Sequence, residues 1–241
     1  MIKVVRPSGR SPDELRPVTL QLGAAPQAEG SCLITVGATR VLCTATVQDG
    51  VPSWREGRGG WVTGEYAMLP RSTTQRTPRE RSGPRARTQE IQRLIGRALR
   101  ATTDMDALGA RTVIVDCDVL GADGGTRTAA ITGGCLALWQ ATSRLVAAGE
   151  LESSPMRQLV AAVSVGIVSG AACLDLDYAE DVGAEVDMNF AALEDGKIVE
   201  VQGTAEGAPF SRDELDAMLA LAHAGVGELL RLQRDAIKAQ S

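Results

Sequence analysis

The sequence predicts an α/β fold of the α+β kind, built from two β-rich halves that each end in a helix. Three observations predict it. A run of apolar residues from Thr112 to Leu120 (TVIVDCDVL) passes through a glycine-rich turn into a helix that carries Leu136, Leu138, Trp139 and Leu145. Alternating segments followed by a helical periodicity occur both before and after the middle of the chain. Between them Gly149 to Pro155 (GELESSP) interrupts all periodicity, which marks a boundary between a half at 1–148 and a half at 157–241.

Taken in order, an arginine- and proline-rich arm precedes a first strand at Val18 to Leu22. Ser31 to Val36 and Thr39 to Val47 alternate around Gly37-Ala38 and read as a hairpin. Trp61 to Met68 is a further strand, reached through a glycine-rich loop at 49–60. Residues 69–86 hold prolines 70, 78 and 84 and almost no apolar side chain, the pattern of an extended, exposed and mobile basic loop. From about Thr88, Ile91, Leu94, Ile95, Ala98 and Leu99 trace one apolar helical face, with Arg93, Arg97 and Arg100 as a solvated surface beside it.

The stretch Thr112 to Leu120 reads as a buried strand. In the second half Leu159 to Val168 pairs with Ala172 to Tyr178, and Val186 to Leu193 with Lys197 to Thr204 around Glu194-Asp195-Gly196. The last helix opens on a capping box of Ser211 and Glu214. Phe210 and Leu215 are placed for a hydrophobic staple. Leu215, Met218, Leu219, Ala222, Leu229 and Leu230 form its buried side.

Bulk composition narrows the function classes. Hydrophobic residues at 44% and charged residues at 23% are those of a soluble globular protein. No apolar run reaches membrane length, and MIKVVRPSGR lacks the apolar core of a signal peptide. Five cysteines scattered singly among apolar neighbours read as small buried hydrophobes in a reducing compartment, so a cytoplasmic protein without membrane partners is expected. Aromatic residues make up only 3%, which argues against recognition of nucleic acid by stacking. The net charge of −5 conceals a basic block: from Arg71 to Arg100, nine arginines face two acids. Such a block points to a polyanionic partner more directly than the total charge does.

The organising stretch is GADGGTRTAAITGG, residues 121–134. Glycines at 121, 124 and 125 permit positive φ and bare-backbone contact, and a helix start offers unpaired N–H groups and partial positive charge. Thr126 adds a hydroxyl and Arg127 a fork of donors suited to phosphate. Neither a P-loop nor a dinucleotide GxGxxG is present, so the pattern is either a structural turn or a phosphate seat without nucleotide-triphosphate machinery. Arg87, at a helix entrance, is placed to reach an anion nearby. The single histidine, His223, sits in LALAHAG and reads as structural, and no GxSxG nucleophile motif exists. Chemistry must then rest on carboxylates, arginines, hydroxyls and backbone. Asp181 and Asp187 bracket a glycine-containing bend, which either is a solvated loop or brings two oxygens to one Mg²⁺ that also holds phosphate.

With these residues in view, the sequence resembles the ribonuclease PH family of phosphate-dependent 3′ exoribonucleases. The likeness runs through RPSGRSPDELRPV, EGSCLITVGATRVLCTATV, GWVTGEYAMLPRST, RTQEIQRLIGRALRA, DCDVLGADGGTRTAAITGG, PMRQLVAAVSVGIV, EVDMNFA and VEVQGTAEGAPFS. Arg81 to Ala86 is its least family-like part. The resemblance implies two halves of the ribosomal-S5-domain-2 type and assembly as a homohexameric ring, a trimer of dimers. It implies that Arg87, Gly125, Thr126 and Arg127 hold inorganic phosphate as co-substrate. Asp181 and Asp187 match a catalytic pair that binds Mg²⁺ or Mn²⁺, and Arg71, Arg76 and Arg79 match arginines that guide the 3′ end of tRNA. The implied activity is that of a tRNA nucleotidyltransferase. It removes extra 3′ nucleotides from tRNA precursors and other RNA 3′ ends as nucleoside diphosphates, and it runs in reverse. Two rivals differ in class. A catalytically silent RNA-binding ring subunit would lose the phosphate arginines or the aspartates, and a small-molecule kinase would carry a kinase-type phosphate loop.

Overall fold

A computed structural model of the chain describes residue 6 and residues 8–240. Residues 1–5 and 7, at the start of the first half and its arm, and Ser241, at the end of the second, lie outside the described residues. The elements run β1 (Val18–Leu22), β2 (Gly30–Val36), β3 (Thr39–Asp49), β4 (Trp61–Met68), α1 (Ala86–Thr102), α2 (Met105–Leu108), β5 (Arg111–Gly121) and α3 (Thr126–Ala147). There follow β6 (Val160–Val168), β7 (Ala171–Leu174), α4 (Tyr178–Gly183), β8 (Val186–Leu193), β9 (Ile198–Ala205) and α5 (Arg212–Lys238).

The mixed α/β architecture expected from the sequence is present, as two sheets. The first has the order β1-β2-β3-β5-β4 and the second β7-β6-β8-β9. All neighbours are antiparallel except β4 and β5. A parallel pair cannot be joined by a hairpin. The basic loop, α1 and α2 make the crossover, and α1 lies along β4.

β5 differs from the buried strand read from its composition. Val113, Val115, Cys117 and Val119 are buried on one face, whereas Asp116 and Asp118 occupy the other. The period of two, not the density of apolar residues, describes it.

α3 ties the halves together. It packs on β2 and β3 and reaches β6. Its small residues explain how closely it approaches: a Cβ on Gly133 would meet Ile34 Cγ2 at 2.7 Å and Cys43 Sγ at 2.9 Å. β7 covers only Val165–Val168 of β6, so the exposed backbone edge of β6 needs other partners. The Ala162 N–H donates to Thr132 Oγ1 at 3.1 Å and the Val160 N–H to Cys135 Sγ at 3.4 Å. Gln233 Nε2 of α5 donates to the Thr132 and Val160 carbonyls at 2.9 and 3.1 Å. A single contiguous core includes residues from both sheets, α1, α3 and α5.

Several local readings change. The strand expected over Ala172 to Tyr178 stops at Leu174. Asp175 turns the chain at φ 54°, and Asp177 with Glu180 forms a capping box that starts α4. The bend between Asp181 and Asp187 is thus the end of a short helix. Its signal, D-x-x-E, was in the sequence. Residues 53–55 of the glycine-rich loop form a 3₁₀ turn that sets Trp54 edge-on to Trp61, ring centroids 4.8 Å apart. Arg100 is no solvated residue: it donates to the Val62 carbonyl at 2.9 Å and lies 4.3 Å from the centroid of the Trp61 ring. Arg97, by contrast, is exposed and pairs with Glu200. α5 has its capping box, and His223 rests edge-on against Phe190. All five cysteines are free and buried, and burial pushes the Cys32 and Cys135 thiols up to about 12, which leaves them unreactive. Among the described residues no helix is long and apolar enough to cross a membrane.

Candidate functional site

A cleft of about 980 Å³ lies where the glycine turn, the basic loop, α1, α4 and the β8–β9 pair converge. Its first wall grows out of β5. Gly124 and Gly125 both take left-handed conformations, φ 73° and 65°, which any other residue would adopt only at a cost. Gly125 is the N-cap of α3 and supplies no side-chain acceptor, so the opening amides of a 22-residue helix are left for a ligand. The turn is braced from behind. Thr39 Oγ1 donates to the Gly124 carbonyl at 2.7 Å and accepts from the Asp123 N–H at 2.9 Å. The Tyr66 and Thr126 hydroxyls are 2.8 Å apart, and burial pushes the Tyr66 phenol up. Arg127, in the first turn of α3, donates from Nη1 to Gln202 Oε1 at 3.4 Å. Gln202 Nε2 in turn donates to Glu90 Oε1 at 2.7 Å. Glu90 stands one turn beyond Arg87 on α1.

The second wall is a product of register. Ser164, Asn189 and Gln202 form one row across β6, β8 and β9, and Gly166, Asp187 and Thr204 the next. Alternation along β8 places Asp187 and Asn189 on the same, cleft-facing side. Asp181 enters from α4. Burial, then the nearby Asp181 carboxylate, push the Asp187 carboxyl up to about 6, against the opposing pull of Arg127 and Arg87. Two carboxylates that resist joint ionisation favour either a retained proton or a shared cation. Among the described residues no group of three or more His, Cys, Asp or Glu forms a metal cage. The oxygen-only pair still fits Mg²⁺, which is commonly held by one or two carboxylates and takes phosphate oxygens and water for the rest.

Of the residues singled out in the sequence, Arg87, Gly125, Thr126, Arg127, Asp181 and Asp187 all line this one cleft. Arg76 joins them from the basic loop, whereas Arg71 and Arg79 are exposed and outside the lining. The loop is fastened at both ends. The Ser72 carbonyl accepts from the Ala122 N–H at 2.7 Å, next to the glycine turn. At the other end the Glu80 carboxylate accepts from the Arg85 N–H at 3.1 Å and the Thr88 hydroxyl at 2.9 Å, and so ties the loop to the start of α1, whose N-cap Arg85 makes no side-chain capping bond.

Family models described as the 3′ exoribonuclease family, domain 1 and domain 2, match residues 14–143 and 158–225. The chain belongs to the 3′ exoribonuclease family. Solved structures with the same fold include rice (Oryza sativa) Rrp46, with TM-score 0.78 at 19% identity over 95% of this chain and 98% of that one. An Archaeoglobus fulgidus exosome chain, from a structure with RNA bound to the active site, gives TM-score 0.79 at 22% identity over 94% and 91%. A chain of an archaeal exosome core gives 0.77 at 22% over 95% and 91%.

The cleft also contains residues that sequence reasoning passed over. Ser164, Asn189, Gln202 and Thr204 line the cleft only because of cross-strand register, for which linear sequence holds no signal. Tyr66 and Glu90 did have one. Each sits on an element already read correctly, at a spacing of two from Met68 and three from Arg87.

Proposed function

We propose that this chain is a phosphorolytic 3′-to-5′ exoribonuclease that trims extra 3′ nucleotides from tRNA precursors. The observation that carries the proposal is the meeting, in one cleft, of an anion-ready helix start, two arginines and a carboxylate pair, in a member of the 3′ exoribonuclease family. A phosphate anion seats on the amides of Gly125 to Arg127, with Thr126 as a further donor. Arg127 and Arg87 orient it and offset its repulsion from the RNA phosphate. A phosphate oxygen attacks the phosphorus of the last phosphodiester, the bond from phosphorus to the 3′ oxygen breaks, and that oxygen leaves with the shortened RNA and takes up a proton. The product is a nucleoside 5′-diphosphate, and the reverse reaction adds a nucleotide and releases phosphate. Asp181 and Asp187 would hold Mg²⁺ or Mn²⁺, which when bound neutralises charge on the scissile phosphate and the departing oxygen.

Positioning and charge neutralisation carry such phosphoryl chemistry, so the lack of a strong base in the cleft is no obstacle. Arg76, with Arg71 and Arg79 further out, holds the RNA backbone. We assign the halves as 1–148, with basic loop and phosphate turn, and 157–241, with the aspartates. The working form is a cytoplasmic homohexameric ring, a trimer of dimers, in which the loops of several subunits gather on one RNA. A silent scaffold role is disfavoured by the complete set of arginines and carboxylates.

One experiment tests the reading. A tRNA precursor is incubated with the protein and Mg²⁺, with and without inorganic phosphate, and the released nucleotides are identified. Nucleoside diphosphates that appear only with phosphate are expected. Monophosphates in phosphate-free buffer would identify water as the nucleophile and overturn the proposal.

A further inference from the structure

A buried charge cluster outside the residues assigned above joins the N-terminal arm to the segment before α4 and its first turn. Arg16, 6% exposed, donates to Asp175 Oδ2 from its backbone N–H at 2.8 Å and from Nε at 2.9 Å, and to Oδ1 from Nη2 at 2.6 Å. Its Nη1 donates to the Asp123 carbonyl, and Nη2 lies 3.5 Å from the carbonyl oxygen of Gly124. The same guanidinium therefore touches the glycine turn and the entrance to α4. Asp175 is itself held: its carbonyl accepts from Arg6 Nη2 and Arg10 Nη2, each at 3.0 Å. Arg6 also forks onto Glu180 at 2.7 and 2.6 Å, next to Asp181. Turn and helix are already in contact, since a Cβ on Gly124 would lie 2.6 Å from the Leu176 carbonyl oxygen and 2.9 Å from the Tyr178 nitrogen.

We propose that Arg16, locked by Asp175, is a positioning residue that holds the phosphate seat at a set distance from Asp181. The role rests on the phosphorolytic reading above. A buried ion pair adds little net stability over an apolar pair of the same shape. What its planar fork does supply is direction: four of its five fixed donors join two backbone carbonyls to one carboxylate. An apolar contact at the same place could slide.

The test compares the full-length wild type with Arg16→Lys and Asp175→Asn. Lys keeps the charge and loses the fork, and Asn keeps the tolerance for positive φ and loses the charge. Each protein is assayed for thermal unfolding, kcat, KM for phosphate and for RNA, and amide hydrogen exchange. For folded variants the expected result is a KM for phosphate raised on the order of tenfold, as for a lost charge-assisted contact, with KM for RNA unchanged. Exchange should accelerate at 123–127 and 177–182 together and nowhere else. A folded variant with wild-type phosphate KM and wild-type exchange at both segments overturns the proposal, as does global loss of protection in both variants, which would make the pair purely structural. If the wild type releases no nucleoside diphosphates, the phosphorolytic reading falls alone. The exchange pattern then decides positioning: joint local acceleration supports it, and its absence sinks it.

Discussion

The two walls of the cleft are made in opposite ways. The glycine-turn wall is nearly contiguous: Gly124, Gly125, Thr126 and Arg127 follow one another, and strand, turn and helix need only local geometry to present their amides. The carboxylate wall has no such unit. Asp181 belongs to a helix of six residues and Asp187 to a strand, and both take their place from distant contacts. The Arg6–Glu180 pair beside Asp181 spans 174 positions of sequence. A motif can thus be local while the site it serves is not.

The comparison breaks most visibly at that buried pair. Glu180→Gln leaves Arg6 charged without its counter-charge, and losing one partner of a buried pair costs about 3–5 kcal/mol. Burial would raise the Glu180 carboxyl, but the Arg6 hydrogen bond and the other contacts outweigh it and hold the group below its ordinary value of 4.5. Its contribution to stability is therefore complete above that pH and is lost as pH falls through the lowered folded value. Acid titrations followed by circular dichroism should show the variant less stable at neutral pH and its deficit shrinking as the pH drops below 4.5. A deficit independent of pH would mean that Glu180 acts through packing alone.

Next in size is the aspartate pair. Asp181→Asn or Asp187→Asn should lower turnover by about 100- to 1000-fold, the usual cost of one transition-state electrostatic contact. Phosphate binding, measured by calorimetry, should survive, since the seat is built on the other wall. Near wild-type turnover at saturating Mg²⁺ in both variants would remove the pair from the reaction. The converse variant sharpens the contrast. Arg127→Ala should lose about 100-fold in rate, and Arg127→Lys somewhat less because charge remains without the fork. Both should lose phosphate affinity, and the deficit should be equal in the two directions of the reaction.

The smallest effect belongs to the loop that overhangs both walls. Replacing Arg71, Arg76 and Arg79 together by Ala should flatten the salt dependence of RNA affinity by up to about 2 in log–log slope, at about 0.7 per phosphate. Because only Arg76 lines the cleft, Arg76→Ala alone should affect short RNAs, and the outer two should matter more for long ones. Binding measured from low to high salt checks this. An unchanged slope would assign the three arginines to folding or assembly.

Legibility followed the same division. β1 to β4, α1, α3 and α5 were readable because each carries its own period, turn or cap. The glycine turn was readable as a strand-to-helix turn for the same reason. The approach to α4 was misread as strand, since Asp175 to Tyr178 alternates in composition while the capping box of Asp177 and Glu180 governs its shape. Arg100 was misread as solvated because nothing linear places the Trp61 ring beneath it.

By itself the sequence determined the α/β class, the basic loop, and a glycine turn opening a helix, each the outcome of interactions within about a dozen residues. Only the tertiary structure decided that Asp187, Asn189 and Gln202 share a wall, which rests on β6–β8–β9 register. It also decided that Arg16, 159 positions from Asp175, reaches the carbonyls of the glycine turn. The physical reason is range. Helix and turn preferences are local energies that can be read in order, whereas register and buried ion pairs exist only once the core of α3 and both sheets has closed around them.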